Sequence, residues 1–159
     1  MKQDVRDELL DMSPLYLLHR AGQFADDMFS KENRQTDMTP RQYAVLACVA
    51  RNENLSQADI VARTGIDRST LADIVRRLAG QNLLERERTR EDARRYAVKL
   101  TDKGMALFKV VEPAAKATDE HILSTLLPAE RDTFLKALSQ IVQTMDSRDR
   151  AAAKDKSAS

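Results

Sequence analysis

The chain has 159 residues, 42% of them hydrophobic but only 4% aromatic, with no tryptophan, four glycines and four prolines. That is enough for one compact domain or two small lobes, and too little Gly and Pro for a loop-rich all-β protein, so a mainly helical fold is expected. Charged residues reach 32% with a formal net charge of +1, which excludes a global electrostatic pull toward nucleic acid or membrane and makes any basic patch a local one.

Residues 1–12 are polar, lack the apolar run of a signal peptide, and read as a flexible tail. Ser13-Pro14 is a cap-then-proline helix start, and Leu17, Ala21, Phe24 and Met28 follow it at spacings of four and three. KENRQTD reads as a loop. Thr39-Pro40 opens a second helix whose interior, YAVLACVA, is apolar nearly all round and is expected to be buried. Ser56-x-x-Asp59 resembles a capping box for a short third helix, which Gly65 stops. Asp67 caps a fourth helix from about Arg68 to Gly80, with Leu71, Ile74, Val75 and Leu78 as its apolar stripe.

The period then changes. Tyr96, Val98 and Leu100 alternate with Ala97, Lys99 and Thr101 as in a half-buried strand, and LLERERT is its candidate partner. The segment RTREDARRY, Arg88 to Tyr96, therefore sits at the tip of a hairpin. Thr101 caps a long helix in which Pro113 predicts a kink. Leu127-Pro128 begins a last helix, where Phe134, Leu138, Ile141 and Met145 follow a coiled-coil-like spacing of four, three and four. The tail from 148 to 159 reads as flexible. No stretch approaches the roughly 20 apolar residues of a membrane span. The single cysteine excludes an internal disulfide and makes a reducing, cytoplasmic compartment the default, with no membrane partner.

QADIVARTGIDRSTLADIVRRL reads as a helix-turn-helix, with Gly65 at the turn. Small, polar and basic residues on the outer face of the second helix let its backbone approach base edges in a major groove. Ser69 and Thr70 can contact phosphates or bases, and Arg68 and Arg76 can reach guanine or phosphate. Asp73 could accept from a cytosine amine. Of Arg76 and Arg77, one can contact phosphate while the other pairs with Asp73 or Glu85. The hairpin tip, with Arg88, Arg90, Arg94 and Arg95, can lie along the adjacent minor groove, where an inserted arginine meets strong negative potential. Asp92, two residues before Arg94, can hold that guanidinium extended or tie down the turn. Taken alone, such a charge run reads as a solvated turn; its place after a helix-turn-helix favours DNA contact.

The run from Leu55 to Gly104, with DRSTLADIVRRL, LLERERTREDARR and VKLTDKG, resembles the MarR (multiple antibiotic resistance regulator) family of winged-helix repressors. Asp67-x-Ser69-Thr70, Asp92-x-Arg94 and Leu100-Thr101-x-x-Gly104 carry the likeness. In layout it extends from about residue 13 to 147. The resemblance implies a mainly α fold with a small β-hairpin wing: a winged helix-turn-helix over 39–101 and a helical dimerisation lobe over 13–35 and 102–147. It implies a homodimer on a palindromic double-stranded operator, paired through the N-terminal helix with Leu17 and the last two helices, with Arg94 in the minor-groove position of the wing. It also implies release by a small-molecule effector, an aromatic carboxylate, a phenol or an acyl-CoA thioester, held between lobe and winged helix. Tyr16, His19, Arg20, Gln23 and Phe24 of the first helix, Arg41 and Tyr43 of the second and Phe108 of the fifth are the candidates. Val61, where such units often carry alanine, and Asp73, where many members carry a basic or polar residue, depart from the pattern.

Each of these candidates has a simpler role. The aromatics fit a plain core. His19 and Arg20, polar groups on a helix expected to be largely buried, fit an interhelix hydrogen bond or a surface charge. Cys48 fits a small buried core residue; the alternative is a thiol-based regulator, which needs exposure and a lowered pKa. A second alternative is a helical interaction module that uses the C-terminal seam and never touches DNA. His19 and His121 lie far apart and there is one cysteine, so neither a metal nor a cofactor is expected. The adjacent Glu91 and Asp92 point apart on a hairpin tip, and with no nucleophile or phosphate loop elsewhere no enzymatic activity is expected.

Overall fold

The computed structural model describes residues 12–88 and 96–157. The chain divides into two units, one ending at Asp119 and the other beginning at Glu120.

Among the described residues of the first unit every helix begins on a side-chain cap. The Ser13 hydroxyl accepts from the Tyr16 amide at 3.3 Å ahead of α1, Pro14–Glu32. Thr39 and Gln42 form a reciprocal capping box at the start of α2, Pro40–Ala50, and Ser56 and Asp59 do the same for α3, Gln57–Thr64. α3 ends on Gly65 at φ 68°, left-handed backbone that a residue with a Cβ adopts only under strain. α4, Arg68–Gly80, follows on its Asp67 cap. It closes through paired bonds, Leu83 N–H to Leu78 O and Asn82 N–H to Ala79 O, with Asn82 at φ 58°.

β1, Leu84–Arg88, pairs antiparallel with β2, Tyr96–Leu100, in a register that sets Leu84 opposite Leu100 and Arg88 opposite Tyr96. The Glu87 carboxylate is ion-paired to Lys99. A third piece of extended chain joins them: Leu55 bridges to Val98, whose amide donates to the Leu55 carbonyl at 2.8 Å. Ala97 and Val98 are both buried although they face opposite sides of the strand, so β2 is more deeply set than a half-buried alternation implies. α5, Asp102–Ser124, starts where the Thr101 hydroxyl accepts from the Gly104 amide and runs through Pro113 as one helix.

The core of this unit gathers Val45 and Leu46 from α2, Ile60 from α3, Leu71, Val75 and Leu78 from α4, Val98 from β2 and Val111 from α5. α2 is buried on most of its surface, as its composition predicts. The burial expected of α1 is not found within one chain: only Phe29 of this helix is buried, while Leu15, Leu17, Leu18 and Phe24 are exposed. Asn33, in the segment read simply as a loop, is buried. Its amide donates to the Met38 carbonyl at 3.1 Å and its side-chain oxygen accepts from the Thr36 hydroxyl at 2.8 Å, so the connection is folded around it.

The second unit contains the end of α5 and α6, Pro128–Ser157. α6 continues as helix through residues 148–157, which the sequence assigns to a tail. None of its described side chains is buried, and Leu135, Ile141, Val142 and Met145 are exposed. No helix among the described residues is long and apolar enough to cross a membrane.

Candidate nucleic-acid interface

α4 is two-faced. Leu71, Ile74, Val75 and Leu78 are buried, and Arg68, Ser69, Asp73, Arg76 and Arg77 are exposed on the opposite side, with Thr70 half-buried at the flank. The helix start is rigidly organised. One oxygen of Asp67 accepts from the Thr70 amide at 2.9 Å and from the Ser69 hydroxyl at 2.7 Å. The Thr70 amide and hydroxyl, then the Ser69 hydroxyl, hold this carboxyl well below the usual carboxylate range. The Ser69 proton is thereby committed, and its lone pairs remain to face outward. Two of the alternatives left open for the arginines are narrowed: Arg76 donates to Asp73 at 2.7 Å, one turn apart on the exposed face. Asp73 therefore orients an arginine in the free protein. Such an exposed pair contributes little to stability, so its effect is on where the guanidinium points.

In the hairpin, the Arg88 guanidinium lies 5.7 Å from the centre of the Tyr96 ring, and its Nε donates to the Tyr96 hydroxyl at 3.3 Å. Tyr96 is half-exposed and was not among the sequence-derived contacts, although it is the only aromatic residue of the hairpin and sits directly across from an arginine. It holds Arg88 at the neck of the wing. The expected contacts Arg90, Asp92, Arg94 and Arg95 lie outside the described residues.

The expected effector residues fall into two groups. Tyr43 and Phe108 form a ladder of rings with Phe29, which was not among the expected residues: the Phe29 and Tyr43 centroids are 5.8 Å apart and those of the nearly parallel Tyr43 and Phe108 are 5.9 Å apart. Phe108 is buried, and partial burial pushes the Tyr43 hydroxyl above its ordinary range. The other group is a patch on α1. Gln23 bridges His19 at 3.2 Å and Arg20 at 3.3 Å, and Arg20 sits 4.7 Å over the Phe24 ring. These four residues are exposed, which corrects the expectation that His19 and Arg20 lie on a buried helix; Tyr16 is half-buried and Arg41 exposed. Cys48 is half-buried at the rim of the core rather than inside it, and burial raises its thiol pKa, opposite to what a reactive thiolate needs. Among the described residues no three His, Cys, Asp or Glu side chains gather as a metal site.

Two helices joined at a left-handed glycine, the second polar and basic outward, followed by a two-stranded ribbon with an arginine at its neck, define a winged helix-turn-helix protein. A family model described as MarR family matches residues 36–95. A regulator proposed for the hcr operon of Thauera aromatica is 30% identical over 104 residues, 65% of this chain, and the match spans 63% of that protein, less than two thirds of its length. Among solved structures, BpsR of Bordetella bronchiseptica, whose DNA binding is regulated by 6-hydroxynicotinic acid, is 28% identical. It superposes with a TM-score of 0.77 over 82% of this chain and 94% of its own. The repressor CouR on a 23-mer DNA duplex is 28% identical, with a TM-score of 0.77 over 88% of this chain and 99% of its own. CouR bound to p-coumaroyl-CoA also superposes with a TM-score of 0.77, over 87% and 98%, at 26% identity. The chain thus matches the MarR family over residues 36–95 and shares the fold of solved transcriptional regulators over most of its length.

Proposed function

We propose that the protein is a transcriptional repressor, not an enzyme, that binds a palindromic operator as a homodimer and is released by a small aromatic acid, a phenol or its acyl-CoA thioester. The observation that carries this reading is the exposed face of α4, where Arg68, Ser69, Asp73, Arg76 and Arg77 share one side of a helix whose other side is fully packed. In the dimer the two α4 helices enter successive major grooves about 34–36 Å apart, and the wings flank them with Arg88, Arg90, Arg94 and Arg95. CouR on a DNA duplex supports the docking.

Pairing is supported by the apolar surface left open. α1 exposes Leu15, Leu17 and Leu18, and α6 exposes Ile141 and Met145 of the seam, with Phe134 and Leu138 half-buried beside them. A helix of 30 residues none of whose described side chains is buried gains its stability from a partner. We assign 13–35 and 102–147 to the lobe and 39–101 to the DNA-reading domain. An effector carboxylate fits the cations Arg20 and Arg41 and the imidazole of His19, and its ring fits Tyr16, Phe24, Tyr43 and Phe108. BpsR with 6-hydroxynicotinic acid and CouR with a coumaroyl thioester support that chemistry. To empty a filled operator the effector must favour one dimer state by several kcal/mol.

The test is the double variant Leu138→Lys, Ile141→Lys. Sedimentation is expected to show a monomer that no longer binds the duplex which the wild-type chain selects from a random library. A monomer that binds this duplex as tightly as the wild type refutes the coupling of pairing to DNA binding. A thermal-shift screen of aromatic acids and their CoA thioesters identifies the effector. Free ligand at about 100 times its Kd adds about 2.7 kcal/mol to stability.

A further inference from the structure

The far end of α4 is gripped by the first turn of α5. Where the chain leaves α4, three consecutive carbonyls, those of Gln81, Asn82 and Leu83, each receive a hydrogen bond from this one turn. Lys103 Nζ donates to Gln81 O at 2.8 Å, Thr101 Oγ1 to Asn82 O at 2.6 Å, and the Thr101 amide to Leu83 O at 3.2 Å. The Thr101 hydroxyl simultaneously accepts from the Gly104 amide at 3.0 Å. Gly104 is buried, and a Cβ built on it would lie 1.9 Å from the Leu83 oxygen and 2.9 Å from the Leu83 carbonyl carbon. This is backbone against backbone, with no flexible side chain between to absorb a shift.

One turn further along the same face of α5, Phe108 stacks on Tyr43 of α2. The Tyr43–Phe108 pair and the end of α4 therefore hang on one face of one helix. We propose that Thr101, Lys103 and Gly104 are positioning residues: they clasp the recognition helix to α5, so that the two turn together and a change at the Tyr43–Phe108 pair re-aims the DNA-reading face. The proposal rests on the repressor reading given above. The clasp resists small slips, because advancing α5 by one residue would break all three carbonyl contacts and drive a side chain into Leu83 O. β1 begins at Leu84, immediately after the gripped carbonyls, so the root of the wing is fixed by the same contacts.

The experiment compares full-length Thr101→Val, Thr101→Ser and Lys103→Met with the wild-type chain. The readouts are amide exchange at Thr101 and Gly104, and affinity for two duplexes: the one the wild type selects from a random library and an unselected one. Valine keeps the shape of threonine but leaves the Asn82 carbonyl and the Gly104 amide without their partner. Expected for it are exchange about tenfold faster at Gly104, and binding to the selected duplex about tenfold weaker with less than about a twofold change on the unselected one. Serine keeps the hydroxyl and is expected to restore both. Lys103→Met removes only an exposed contact, so it folds whatever becomes of the valine variant, and its selectivity is expected to fall about two- to threefold. Unchanged selectivity in both Thr101→Val and Lys103→Met, in a chain whose wild type does select a duplex, overturns the clasp. A wild-type chain that selects no duplex overturns the repressor reading on which the clasp's role depends, and amide exchange then reports only whether the contacts exist.

Discussion

Replacing glycines by alanine one at a time tests the geometry of the helix-turn-helix and of its attachment to α5 with a single kind of perturbation. At Gly65 the φ of 68° is the whole difficulty, since no atom lies within 4 Å of an added Cβ. Alanine in that conformation costs about 1 kcal/mol. At Gly104 the backbone is ordinary and the space is missing. The new Cβ and the Leu83 oxygen must part by about 1.5 Å before they reach ordinary van der Waals contact at 3.4 Å. That movement strains the packing by about 1–3 kcal/mol and opens the two bonds from Thr101 to Asn82 O and Leu83 O, each worth about 1 kcal/mol net. A loss of about 3–5 kcal/mol follows for Gly104→Ala. Gly22, inside α1 with nothing within 4 Å of its Cβ position, is the control: alanine there stabilises the helix by up to about 1 kcal/mol. Urea denaturation at one fixed protomer concentration is the assay, because pairing makes apparent stability depend on concentration. The expected order of midpoints is Gly22→Ala, wild type, Gly65→Ala, Gly104→Ala. A Gly104→Ala protein no less stable than Gly65→Ala, at unchanged slope, refutes the close approach of α5 to Leu83.

Other outcomes follow from the exposed face and from the half-buried titrating groups. Arg77→Ala is expected to weaken binding to all duplexes alike and to lower the salt slope by about one unit; an unchanged slope removes Arg77 from the phosphate contacts. Asp73→Ala frees Arg76 from its ion pair and is expected to change the consensus selected from a random library more than the affinity; an identical consensus sinks a reading role for the pair. Cys48 and Tyr43 have folded pKa values raised above their ordinary 9.0 and 10.0. Both are neutral when protonated, so their contribution to stability is full below pH 9 and is lost as the pH climbs through the raised values. Stability should therefore fall on the alkaline side, and Cys48→Ala with Tyr43→Phe should flatten that fall. A wild-type protein whose unfolding free energy is constant from pH 8 to about 11 contradicts the burial of both groups.

What could be read from sequence is what local chemistry decides. Ser13, Thr39, Ser56, Asp67 and Thr101 each start a helix by bonding an amide three residues on, and Gly65 turns the chain by its own backbone freedom. The apolar stripe of α4 and the alternation of β2 were equally legible, since period specifies them, whereas β1, charged and exposed after Leu84, could be named only as a candidate partner. What escaped depends on residues distant in sequence. The Leu55–Val98 bridge spans the whole helix-turn-helix, and nothing around Leu55 marks it as extended chain. Asn33 looks like an ordinary loop residue until the carbonyl of Met38 is folded over its amide. The exposure of α1 within one chain could not be inferred from its spacing, because the same apolar pattern suits a core and a surface awaiting another chain. In the interface, the outward set on α4 was readable, but the pairing of Arg76 with Asp73 and of Arg88 with Tyr96 required knowledge of rotamers and strand register.

The bridge at Leu55 also leaves the ribbon lopsided. β2 has a neighbour on each side, β1 on one and, through the Val98 amide, Leu55 on the other, while among the described residues β1 has a strand neighbour only on its β2 side. After Leu84 that outer rim reads Glu85, Arg86, Glu87, Arg88, charges of alternating sign in place of anything a stray strand could zip onto. Copies of the chain brought close together meet a charged rim in place of an open apolar edge, and Glu85→Val with Glu87→Val is expected to favour fibres.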